Sequence, residues 1–165
     1  MSALPSDPET NFARCILALD LGMNTGWALR NRDGLLRYGT EKFTHRRRCH
    51  PGQRWLDFRS WLNRTLDAQQ VHVIAYEDVR RHLGTDAAHA YGAFLAVLQM
   101  AAASQNIELI PVAVGTIKKH WTGSGSAKKD AMIAEAKRRG FTPDTDNAAD
   151  ALAVLSWACL TEDAE

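Results

Sequence analysis

The stretch that most constrains this chain is Cys15 to Trp27, CILALDLGMNTGW. Four apolar residues, Ile16, Leu17, Ala18 and Leu19, run directly into Asp20. A turn containing Gly22, Asn24, Thr25 and Gly26 follows before the chain becomes apolar again at Trp27. An unbroken apolar run of this length, bounded by a glycine turn, reads as a buried strand rather than a helix. Asp20 then lies near the strand's end, where a buried carboxylate needs a metal ion, an Arg or Lys, or a helix N-terminus to compensate its charge. Taken alone, it also fits a turn-starting aspartate.

Two further segments repeat the pattern. Val71 to Tyr76 (VHVIAY) leads into Glu77-Asp78, and Asp146 and Asp150 open an Ala-rich helical segment, DNAADALAVLSWACL. Three elements that each deliver a carboxylate meet the requirement of a phosphodiester site built on two divalent ions. Hard cations such as Mg2+ prefer carboxylate oxygens and keep several waters. Without such ions, clustered carboxylates repel one another and raise one another's pKa.

The order of elements predicts how these groups meet. After the first strand, Gly26 to Arg30 and Leu35 to Phe43 read as two more, joined by Asn31-Arg32-Asp33-Gly34, whose Asp-Gly is a hairpin signal. Gln53 to Leu66 is an amphipathic helix with Trp55, Phe58, Trp61, Leu62 and Leu66 at helical spacing, its tryptophans read as core. Val71 to Tyr76 is a fourth strand, expected beside the first. Asp86 to Ser104 is a helix carrying Tyr91, Phe94, Leu95 and Leu98, with Gly92 inside it, which a close helix contact would explain. Ile107 to Val112 is a fifth strand in which Pro111 marks an end or an edge. Helices follow at Val114–Trp121, Ala127–Arg139 and Asp146–Leu160. The pattern is α/β with a mixed sheet in which strands one and four run parallel as neighbours, so Asp20 and Glu77 emerge side by side. Asp146 and Asp150, four apart, share one helix face with Cβ atoms roughly 6 Å apart. Asp146 also fits an N-cap.

The chain has 165 residues, enough for one domain with a full core, and its net charge of +1 assigns any attraction to a polyanion to local clusters. Such clusters exist. Arg80 and Arg81 follow Glu77, Lys118 and Lys119 sit on one short helix, and Lys128 and Lys129 start the next, where they oppose the macrodipole. As a set they read as phosphate-binding groups; singly, Lys119 and Lys128 read as an exposed helical face. Arg46, Arg47 and Arg48 lie in a basic loop that reads equally as a solvated turn or an interaction segment. The three cysteines are widely spaced with no C-x-x-C pair, which favours reduced thiols, and Cys49-His50 alone is not a metal site. Residues 1–13 and 161–165 read as tails around a single domain at 14–160. No stretch reads as a signal peptide or a membrane span.

The segments CILALDLGMNTGWAL, VIAYEDV, IKKHWTGSGSAKKD and DNAADALAV resemble, in this order, the four motif regions of RuvC-type Holliday junction resolvases. The likeness is greatest to the small RuvC-like resolvases of bacteriophages and prophages, and it spans about Cys15 to Cys159. The first motif alone is shared with actin-like ATPases and sugar kinases; all four in order are specific. The resemblance implies a ribonuclease H-like fold, a five-stranded mixed sheet with strands one to three an antiparallel meander, strands four and five parallel to strand one, and helices on both faces.

It also implies a metal-dependent, structure-selective DNA endonuclease that resolves Holliday junctions or other branched DNA with two Mg2+ ions per site, Mn2+ being able to substitute. Position by position, Asp20, Glu77 and Asp150 match the family's acidic ligands. The remaining family aspartate falls on Asn147, with Asp146 adjacent as the substitute. Lys118 and Lys129 match lysines used near the scissile phosphate and the DNA backbone. Where bacterial members can carry a bulky aromatic, three residues after Glu77, this chain has Arg80. A homodimer in the cytoplasm is expected, with no membrane and no small organic cofactor. Symmetric cutting of a four-way junction requires two sites related by a twofold, and the helix bearing Tyr91, Phe94, Leu95 and Leu98 is the candidate dimer surface. The alternatives are a ribonuclease H-like RNA-processing nuclease, a catalytically silent branched-DNA-binding protein and, with least support in so short a chain, an actin-like ATP-binding module.

Overall fold

The structure, a computed structural model, describes residues 13–163. At its centre is β1 (Ile16–Asp20), which turns through Gly22 into β2 (Asn24–Arg30) and then β3 (Leu36–Lys42), an antiparallel meander. The hairpin between β2 and β3 closes at Gly34, which has φ +80°; its N–H donates to the Asn31 carbonyl at 3.1 Å. The Asn31 side chain accepts from the N–H groups of Asp33 and Leu35. β4 (Val73–Asp78) pairs in parallel with β1, and β5 (Glu108–Ala113) pairs in parallel with β4, giving the order β3-β2-β1-β4-β5. β5 is therefore an edge strand, which is where Pro111 with its missing N–H can sit.

Alternation along the two central strands divides the core. On one face Leu17, Leu19, Ile74 and Tyr76 pack under α1 (Gln53–Gln69) and α2 (Thr85–Ser104), against Phe58, Leu62, Phe94 and Leu98. On the other, Ile16, Ala18, Val73 and Ala75 meet α5 (Asp146–Glu162), whose Ala149, Ala151 and Ala153 let the helix lie close to the sheet. α3 (Val114–Thr122) and α4 (Lys129–Arg138) complete that layer through Ile117, Trp121, Met132 and Ala136. The five-stranded mixed sheet with helices around it matches the expected fold class. Trp55 and Trp61 are core, edge-on to Phe94 and tilted against Phe43 respectively. The three cysteines are free.

Several expectations change. Of the four residues on the candidate dimer helix, Tyr91, Phe94 and Leu98 are buried toward the sheet and so are not a dimer surface, and Leu95 is partly buried against the same cluster. Gly92 faces open space, with nothing within 4 Å of an added Cβ, so no close contact accounts for it. α2 is, by length and composition, long and apolar enough to cross a membrane, because its many alanines raise its average; its Tyr91, Phe94 and Leu98 nevertheless pack into the core. α5 continues to Glu162, past the expected end at 160, because Glu162 pairs with Arg30 and lies 3.6 Å from Arg14. Apart from Ala13, the expected tail at 1–13 lies outside the described residues, as do 164 and 165.

Candidate active site

Both parallel strands end in a carboxylate. Leu19 pairs with Tyr76, so the next residues, Asp20 and Glu77, stand adjacent at the same end of the sheet. The turn after Asp20 is held by the fully buried Thr25, whose hydroxyl donates to the Gly22 carbonyl at 2.7 Å. Across β2, Asp20 pairs with Gly26. A Cβ on Gly26 would lie 1.9 Å from the backbone oxygen of Asn147, so the missing side chain is what admits the first turn of α5 to the sheet. Thr145 caps that helix by accepting from the Ala148 N–H at 3.0 Å, and its hydroxyl meets that of Thr40 on β3 at 2.6 Å. Asp146 is therefore the first helical residue and not the cap. Asp150 follows one turn later.

The electrostatics report how close these groups come. Asp20 is pushed well above the ordinary carboxylate range, first by burial and then by Glu77, Asp150 and Asp146. Glu77 is also raised by burial, although hydrogen bonding with Asp20 and the charge of Lys118 oppose the rise. Burial thus raises both members of this adjacent pair, Asp20 the more strongly because the neighbouring carboxylates add to it. Asp150 is raised to about 7, by burial and then by Glu77 and Asp146, with Lys118 and Lys129 acting in the opposite sense. Asp146 is the exception. It pairs with Lys129 at 2.5 Å, which lowers its pKa.

Glu77, Asp78 and Asp150 line a cavity of about 520 Å³ together with Lys118, Lys129, Arg80 and Arg81. Arg80 is held by its Nε at 2.9 Å from Asp78 Oδ2. Ala113, Val114, Val79 and Met132 supply an apolar wall. Lys119 and Lys128 are exposed and do not line it; Lys128 sits just before α4. Arg46, Arg47 and Arg48 are exposed in the loop that leaves β3 at Lys42, the end paired with Asn24 and so the carboxylate end of the sheet. Asn147 presents its carbonyl and Cβ to Gly26, whereas the Asp146 carboxylate acts on Asp20 and Asp150.

Two contributors carry no local signature. Tyr91 on α2 donates its hydroxyl to the Glu77 carbonyl at 2.8 Å and accepts the Val79 N–H at 3.1 Å, which fixes the end of β4. Gly26 could have been noticed for its place after the turn, but its role depends on a helix 120 residues later.

The donor set fits hard divalent cations. All four acidic groups offer oxygen, and among the described residues no ion pair is made by Asp20 or Asp150, both of which burial raises in pKa. Among the described residues, no three His, Cys, Asp or Glu side chains are yet drawn together to coordination distance. The carboxylates converge, but they do not form a finished cage.

A family model described as crossover junction endodeoxyribonuclease RuvC matches residues 16–156. Among solved structures, that of Thermus thermophilus RuvC in complex with a Holliday junction substrate superposes with a TM-score of 0.72 at 17% identity, covering 86% of this chain and 90% of that one. A second structure of Thermus thermophilus RuvC gives 0.66 at 18%, covering 85% and 90%. The yeast mitochondrial Holliday junction resolvase gives 0.60 at 15%, covering 90% and 78%. No curated protein sequence matches. The structural likenesses, at such low identity, are likenesses of fold. The family model covers most of the chain and includes all three carboxylate-bearing elements: this chain belongs to the RuvC family of crossover junction endodeoxyribonucleases.

Proposed function

We propose that the protein is a structure-selective DNA endonuclease that resolves four-way junctions by hydrolysing one phosphodiester at each of two sites in a homodimer. The observation that carries this reading is the convergence of Asp20, Glu77 and Asp150 at one sheet end, each pushed up in pKa by burial, at a cavity lined also by four cationic side chains. Asp20 and Asp150 would hold one divalent ion, with Glu77 and Asp146 completing a second position. Mg2+ is the ion favoured by an all-oxygen donor set, with Mn2+ able to replace it. A bound pair of such ions supplies charge stabilisation at the phosphoryl centre and acidifies water.

The chain's own groups do the rest. Lys118, on α3, holds the phosphate charge near Glu77 and Asp150. Lys129 is spent on Asp146 in this state and becomes free for the backbone once Asp146 has a cationic partner. Arg80 and Arg81 grip the strand on the far side of the cavity, and Arg46, Arg47 and Arg48, with Lys119 and Lys128, extend the electrostatic track to flanking DNA.

The test compares a synthetic four-way junction with linear duplex of the same sequence and with a matched RNA branch, each with Mg2+ and with EDTA. Junction cutting that depends on Mg2+, lost in Asp20→Asn while junction binding remains, supports the reading. Equal cutting of linear duplex removes junction selectivity, preferential cutting of RNA moves the substrate class, and binding without any cutting leaves a branched-DNA-binding protein.

A further inference from the structure

The face of the sheet opposite to α5 carries a second cavity. Side chains alternate along β1, and the register partner of Leu19 is Trp27, which therefore points toward α1 together with Leu19 and Leu29. Trp27, Leu29 and Arg37 on β2 and β3, with Trp61, Arg64 and Gln69 on α1, line a space of about 280 Å³. Arg37 and Arg64 are exposed, and among the described residues neither makes a salt bridge. The Trp27 indole lies against Gly39, where a Cβ would come within 3.1 Å of the ring. Its N–H is buried with no acceptor among the described residues. Trp61 packs on Phe43 at a ring-centroid distance of 5.7 Å, and being only half-buried it also reaches this cavity.

These features ask for one kind of occupant. Two unpaired guanidiniums attract an anion, and their planar forks suit a phosphate. The indoles offer flat apolar area that a phosphate alone leaves wet and that a heteroaromatic ring covers. The unmet indole N–H adds the need for an acceptor at the edge of Trp27. An acidic peptide would answer the arginines but leave the indoles uncovered. We infer that this cavity binds one phosphorylated nucleoside, its base against Trp27 and Trp61 and its phosphate on Arg37 and Arg64. The nucleoside comes either as a free nucleotide or as one unit of a single strand, since both present the same chemistry. The site shares no lining residue with the cavity at the carboxylates, and it lies under α1 whereas Asp150 is on α5 across the sheet. Binding here needs no metal and no cutting, so it goes beyond the nuclease reading and does not rest on it.

The test is a titration of the full chain, labelled with 15N and kept in EDTA, that follows the indole N–H signals of Trp27 and Trp61 as assigned with Trp27→Phe and Trp61→Phe. Deoxyadenosine monophosphate is expected to shift both signals saturably. Deoxyadenosine and inorganic phosphate, each supplying part of the ligand, are expected to bind at least about tenfold more weakly. A short single-stranded DNA forms a second arm: a stronger response to the strand assigns the source to DNA, and a stronger response to the mononucleotide assigns it to free nucleotide. The double variant Arg37→Gln, Arg64→Gln is expected to weaken binding at least about tenfold with the melting temperature unchanged, because both side chains are exposed. The inference is overturned where neither the mononucleotide nor the strand shifts these signals, where inorganic phosphate shifts them as strongly, or where the double variant binds as tightly as the unaltered protein. A response to a poly-glutamate peptide in place of both nucleic-acid probes makes this an acidic-peptide site and overturns it as well.

Discussion

Gly26 lies directly beneath the carbonyl of Asn147, where even a methyl group would come within 1.9 Å of the oxygen. Gly26 is also the register partner of Asp20, so the contact that seats α5 on the sheet is the one that brings Asp146 and Asp150 to the strand ends. Gly26→Ala is expected to displace the first turn of α5, destabilising the fold by about 1–3 kcal/mol, as overpacking typically does. Junction cutting should fall by about 100-fold, because small misplacements of reacting groups are costly. Urea unfolding and a cleavage time course check both, and near-normal cutting would remove Gly26 from the argument.

Tyr91 ties two backbone groups at the end of β4 through one hydroxyl, and burial pushes that hydroxyl's pKa up to about 12. Tyr91→Phe keeps the ring but strands the Val79 N–H and the Glu77 carbonyl, at a cost of about 1–3 kcal/mol. Glu77 then loses its fixed position, so the cutting rate should fall more than junction affinity does. A gel-shift titration beside single-turnover cleavage separates the two, and a loss confined to affinity contradicts a positioning role.

Lys118 lowers the pKa of both Glu77 and Asp150. Lys118→Met removes that charge, so both carboxyls hold their protons to higher pH. The acid limb of the pH–rate profile should move upward, and the maximal rate should drop by about 10²–10³-fold, the range found when a group stabilising transition-state charge is removed. An unshifted limb would assign Lys118 to DNA contact alone.

The same groups set how stability depends on pH. Asp150 has a folded-state pKa of about 7 against 3.8 for the free side chain, so the folded state binds its proton more tightly than the unfolded chain does. Its contribution is fully present below 3.8 and is lost as pH rises through about 7. Protein in EDTA should therefore melt at progressively lower temperature across that window, and Asp150→Asn should flatten the slope. Added Mg2+ should restore stability most at the alkaline end, by about 2.7 kcal/mol at a hundred times its Kd. Thermal scans with and without Mg2+ decide; an unchanged slope in Asp150→Asn contradicts the assignment.

Gly92 offers a contrasting case, since the space around it is open. Gly92→Ala places a better helix former in the middle of α2 and should stabilise the protein by about 0.5–1 kcal/mol with cutting unchanged. A loss of stability or of cutting would mean that a second molecule packs closely against this face, a result that sedimentation would show as a shift in oligomeric state.

The strands and the helices were legible in the sequence because each depends on local pattern. The apolar run before Asp20, the Asp-Gly turn and the helical spacing from Gln53 onward need no distant partner to be read. Parallel pairing of β1 with β4, and hence the meeting of Asp20 and Glu77, followed from the order of elements.

What the tertiary structure alone decided is which surface each pattern meets. Helical spacing shows that Tyr91, Phe94 and Leu98 share a face, but not whether that face covers the sheet or another molecule. Likewise, Asp146 and Thr145 both suit an N-cap, and the hydroxyl of Thr40 on a distant strand settles the choice. The apolar part of the cavity that Glu77 and Asp150 line is assembled from three separate segments, with Val79, Ala113, Val114 and Met132. No periodicity in any one of them encodes it, because a cavity is a property of how separate elements fail to fill space between them.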